Sequence, residues 1–83
     1  LANRLTLYTT LGCHLCEQAK PHIFAALLHT DFILEEIDIA NDEALVEKYG
    51  LLIPVLACQG RELNWPFEQQ GVVGLLQPGG QQA

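Results

Sequence analysis

Cys13 and Cys16, in the stretch LGCHLCEQAKP (11–21), stand three positions apart just after a run of strand formers. At that spacing two thiols can meet within one helical turn, and the pair stands where a strand gives way to a helix. The flanks agree. RLTLY (Arg4–Tyr8) is rich in strand formers and puts Leu5 and Leu7 on one face, and TTLG reads as a loop. From Cys13 to about Leu28, the residues Leu15, Ala19, Ile23, Phe24 and Leu27 recur at helical spacing. Pro21 falls inside that helix, which therefore either bends there or ends near Lys20.

The remaining elements follow in order. DFILEEIDI (Asp31–Ile39) reads as a strand in which Ile33, Ile37 and Ile39 alternate with Leu34, Glu36 and Asp38. NDEALVEKYG reads as a helix with marked ends: Asn41 as cap, Asp42 and Glu43 at the positive end, Lys48 in the last turn, and Gly50 as the stop. PVLAC and RELNW are two short strands joined by Gln59-Gly60, a hairpin link. PFEQQGVVGLLQ gives a last helix with Phe67, Val72, Leu75 and Leu76 as its buried side, weakened by Gly71 and Gly74. The order is β-α-β-α-β-β-α. Helical crossovers join parallel strands and tight hairpins join antiparallel ones, so a four-stranded mixed sheet with helices on both faces is expected. One domain over residues 1–76 and a flexible tail over 77–83 complete the reading.

Composition narrows the partners. Ten acidic residues against four basic ones give a net charge of −6, the wrong sign for a nucleic-acid or anionic membrane surface. No apolar run approaches a bilayer span, and no charged start, apolar stretch and cleavage site mark a secretory signal. Three cysteines is an odd number without the spacing of a disulfide-stapled secreted domain, which points to a reducing cytoplasm; a monomer is expected.

The thiolate is the attacking species in disulfide exchange, and a free thiol titrates at about pH 8.5. At a helix N-terminus Cys13 faces unpaired N–H groups and the positive end of the dipole, which favour the anion; His14 adds to this when charged, and Glu17 opposes it. Cys16 lies one turn further in. Cys13 is thus the candidate nucleophile and Cys16 the candidate resolving thiol, acting on a disulfide in a protein or a small molecule. Three other readings stay open at this point. A structural or carried metal would need ligands beyond the pair, and Cys58, His14, His22 and His29 stand at no recognisable partner spacing. The thiols could be inert core residues, as Cys58 in its apolar strand is read. The domain could be an interaction module without catalysis. Asp38 is read as a strand end, and His22 and His29 as solvated.

The stretches LTLYTTLGCHLCEQAKP, EEIDI, KYGLLIPVLAC and RELNWPF resemble the thioredoxin superfamily, most closely a small glutaredoxin-like family, over about Leu5 to Leu76. The resemblance implies a thioredoxin-like fold and disulfide oxidoreductase activity. It implies a cis peptide before Pro54, the Ile53 backbone as part of a substrate groove with His14 and Leu15, and a bend in the first helix at Pro21. No metal, on the ligand count above, and no resident cofactor are expected. Glutathione, the cofactor of many relatives, meets departures: Thr10 stands where glutaredoxins carry a lysine, NWPFEQ replaces their Gly-Gly-x-Asp segment, and His14-Leu15 match neither C-P-Y-C nor C-G-P-C. The buried acid of thioredoxins is absent too, the first strand offering Thr6.

Overall fold

The structure, a computed structural model, describes residues 3–77. The tail expected beyond Gln77 lies outside the described residues. Gln77 itself caps the last helix, donating its N–H to the Gly74 carbonyl. The elements are β1 (Asn3–Thr9), α1 (His14–Leu27), β2 (Phe32–Asp38), a 3-10 turn (Ile39–Asn41), α2 (Glu43–Tyr49), β3 (Val55–Cys58), β4 (Arg61–Asn64) and α3 (Gln69–Leu76). The sheet runs β2-β1-β3-β4, with β1 parallel to β2 and antiparallel to β3, and β3 antiparallel to β4. This is the expected mixed, thioredoxin-like order. The two hairpin residues Gln59 and Gly60 both take positive φ, as a turn matched to the strand twist requires.

Alternation along the strands divides the core in two. Leu5, Leu7, Leu56 and Cys58 face α1 and α3, meeting Ala19, Ile23, Ala26, Phe67, Val72, Leu75 and Leu76. Val55, with Tyr8 packed against it, faces the other side, where Ile39, Tyr49, Leu45 and Ile53 gather under α2. The helix α1 runs through Pro21 without ending, and Pro21 lies on its exposed side.

Two local expectations are corrected. Asp42, not Asn41, caps α2: its carboxylate accepts from the Ala44 and Leu45 N–H groups, because Asn41 is taken up in the 3-10 turn. In β2 it is Phe32 and Leu34 that pack on the larger core, while Ile33 is 57% exposed. The strand is at the sheet edge, and on that face the smaller core gathers Ile39, Tyr49 and Val55 and does not include Ile33.

Tyr49 ties the smaller core together. Its ring stacks on Tyr8 with centroids 4.2 Å apart, and its hydroxyl donates to the Glu62 carboxylate on β4. That bond, together with burial, raises the phenol above its ordinary value of 10. Above about pH 10 the unfolded chain releases this proton while the folded one holds it, so Tyr49 makes stability fall as pH rises, by about 1.4 kcal/mol per unit. Urea unfolding at pH 8 to 11 should show a steeper loss in the parent than in Tyr49→Phe. A second expectation concerns α3. A methyl group at Gly74 would meet nothing within 4 Å, so Gly74→Ala should stabilise by up to about 1 kcal/mol, read as a raised urea midpoint.

Candidate active site

The loop that follows β1 is shaped by three interactions. Thr10 Oγ1 donates to Asp38 Oδ1 at 2.9 Å, and the same oxygen accepts the Ala40 N–H at 2.9 Å. The Cys13 N–H donates to the Thr10 carbonyl at 3.3 Å. Gly12 supplies the positive φ of +77° that turns the chain into the helix. Asp38, read from sequence as a mere strand end, thus holds Thr10 and through it the turn that presents Cys13. Its signal was an aspartate two residues before Ala40, the spacing of a side chain that caps its own backbone.

Cys13 is the N-cap of α1, and its sulfur accepts the Cys16 N–H at 3.1 Å. The two cysteines are joined as a disulfide, with Cα atoms 5.2 Å apart. Their environments differ: Cys13 is half-buried and Cys16 fully buried. His14 and Leu15, between them, point to solvent, with Leu15 44% exposed. Glu17, expected to oppose a negative sulfur, is paired with Lys20 at 3.3 Å, and Lys20 also reaches Glu36 at 3.3 Å. The Glu17 and then the Glu36 hydrogen bonds hold the ammonium above its ordinary value.

The loop entering β3 reaches the same end of the sheet. β3 runs antiparallel to β1 with Val55 opposite Tyr8, so Ile53 and Pro54, just before Val55, lie at the end of the sheet where β1 runs into the Cys13 loop. The Ile53–Pro54 bond is cis and Pro54 is fully buried; a second cis bond, Trp65–Pro66, was not foreseen. The Ile53 N–H donates to the Tyr49 carbonyl at 3.0 Å, so any backbone contact of Ile53 to a substrate has to go through its carbonyl. Beside the Cys13 loop a cavity of about 190 Å³ opens among Thr9, Thr10, Glu17, Lys20, Glu36 and Asp38.

The other candidates fall elsewhere. Cys58 is buried in the larger core, and burial raises its thiol. Trp65 is half-buried, edge-on to Phe67 at 5.1 Å, and His22, expected to be solvated, is half-buried on α1 with its ring 6.4 Å from the indole. Among the described residues no three His, Cys, Asp or Glu side chains converge as a metal site, and no helix is long and apolar enough to cross a membrane.

Comparison with known proteins agrees with this geometry. The family model described as Glutaredoxin-like domain (DUF836) matches residues 4–77. The X-ray structure of Northeast Structural Genomics target protein XcR50 from X. campestris is 41% identical, with a TM-score of 0.70 over 83% of this chain and 89% of that one. The solution structure of the same target is also 41% identical, with a TM-score of 0.65 over 83% of this chain and 86% of that one. No curated protein matches the chain.

Proposed function

The chain belongs to the glutaredoxin-like domain family, and from that premise we propose that it is a dithiol–disulfide oxidoreductase with Cys13 as nucleophile and Cys16 as resolving thiol. One observation carries the reading: a half-buried Cys13 caps α1, accepts a backbone N–H on its sulfur, and has a buried cysteine within disulfide reach. In the reduced protein the same N–H and the helix dipole stabilise the Cys13 thiolate. That thiolate attacks one sulfur of a substrate disulfide; the S–S bond breaks, and the departing thiolate takes a proton from water. Cys16 then releases its proton and attacks the Cys13 sulfur. The Cys13–Cys16 disulfide forms as the second substrate thiol leaves. Two electrons pass to the substrate, and an external thiol or dithiol restores the reduced pair. In this reading the exposed His14 and Leu15, next to Cys13 in sequence, and the cis Ile53–Pro54 segment contribute to the substrate groove.

Reduced protein mixed with hydroxyethyl disulfide, a small neutral substrate, tests this. One Cys13–Cys16 disulfide should form for each substrate disulfide lost, with no accumulated adduct. Reduction that proceeds through one cysteine and leaves a stable adduct would favour a monothiol cycle instead.

A further inference from the structure

Resting on that reading, we infer that the substrate is a protein disulfide carried on an apolar segment free of carboxylates, and that glutathione disulfide is a poor substrate. Charge is the first observation. Glutathione bears two carboxylates and one ammonium on each half, a net negative charge that free cations at a site would favour. The chain has four Lys and Arg residues, and all are engaged. Arg4 pairs with Glu35 at the opposite end of β1. Lys20 is shared by Glu17 and Glu36. Lys48 lies 5.1 Å from the centre of the Tyr49 ring. Arg61 donates to the Leu75 and Gln77 carbonyls at the end of α3. The charged lining beside the Cys13 loop is Glu17, Glu36 and Asp38 against Lys20 alone, so the approach to the sulfur disfavours an anion.

The second observation is apolar exposure at the same end of the sheet. Leu11 is 91% exposed, Leu15 44%, Leu51 fully and Leu52 48%. Leu11 and Leu15 flank Cys13 in sequence, and Leu51 and Leu52 lead into Ile53 and Pro54, just before β3 at the end of the sheet where β1 runs into the Cys13 loop. Uncharged side chains on two loops at one end of the sheet suit a polypeptide with apolar residues beside its cysteine, and the Ile53 carbonyl is an acceptor for that segment's N–H. A charged tripeptide covers little of them.

The experiment compares single-turnover reduction of four disulfides: hydroxyethyl disulfide, glutathione disulfide, and two matched peptides with leucine beside the cysteines and either lysine or glutamate beyond. The lysine peptide should react about tenfold or more faster than glutathione disulfide, as burial of one or two leucine side chains allows, with the glutamate peptide between them. Leu51→Ser/Leu52→Ser should slow both peptides about tenfold and leave hydroxyethyl disulfide unchanged. Equal rates for glutathione disulfide and the lysine peptide would overturn the inference alone, as would peptide rates unmoved by the double substitution. Failure to reduce hydroxyethyl disulfide at all would remove the oxidoreductase reading, and this inference with it.

Discussion

Cys13→Ser should reduce disulfide exchange to the uncatalysed background, a loss of at least about 100-fold, whereas Cys16→Ser should keep the first attack and stop at the mixed disulfide. The two outcomes differ because the cysteines occupy different places on one helical turn. Serine at the N-cap still accepts the Cys16 N–H and still begins the helix, so the fold survives, but a hydroxyl does not open a disulfide. Serine at position 16 keeps the half-buried Cys13 sulfur available for attack, with no thiol beneath it to release the substrate. Intact-protein mass spectrometry after a single turnover separates the cases. The expected masses are unmodified protein for Cys13→Ser and protein plus one substrate half for Cys16→Ser. Turnover by Cys16→Ser at the parent rate would sink the dithiol scheme.

Leu56→Ala should be the most damaging of the single core truncations for the site as well as the fold. Leu56 is fully buried on β3, paired with Leu7 on one side and Leu63 on the other, in the strand that begins after Pro54. Truncation removes its transfer energy and leaves a cavity, a cost of about 2–5 kcal/mol. A domain of this size holds about 5–15 kcal/mol in all, and each kcal/mol lost lowers Tm by about 4–8 °C. Val73→Ala, on the outer face of α3, provides the contrast and should stay within about 0.5 kcal/mol. A Leu56→Ala loss below about 1 kcal/mol in urea unfolding would show that the larger core closes around the gap.

The strand and helix order was legible in the sequence because short elements announced themselves locally: alternation in RLTLY, the hairpin Gln59-Gly60, and the apolar positions of α1 and α3. Cys13 and Cys16 were legible for the same reason, since their spacing acts within one turn. Long-range effects were not. The exposure of Ile33 depends on its strand's place at the sheet edge, away from the smaller core, which no local pattern records. Asp38 holds Thr10 from 28 residues away, and only the parallel pairing of β1 with β2 brings them together. The resemblance led to Pro54, but not to the donation of the Ile53 N–H to Tyr49. Nor did charge counting show that every lysine and arginine is engaged.

The central claim is that the N-terminus of α1 makes Cys13 a thiolate, and the pH dependence of its alkylation tests that most directly. Iodoacetamide modification of Cys13 should be followed in the reduced protein carrying Cys16→Ser and Cys58→Ala, so that one thiol reports. The rate should rise with a midpoint clearly below the free-thiol value of about 8.5. A midpoint at or above that value would mean that the helix end does not activate the sulfur, and would leave the domain as an interaction module with an inert cysteine pair.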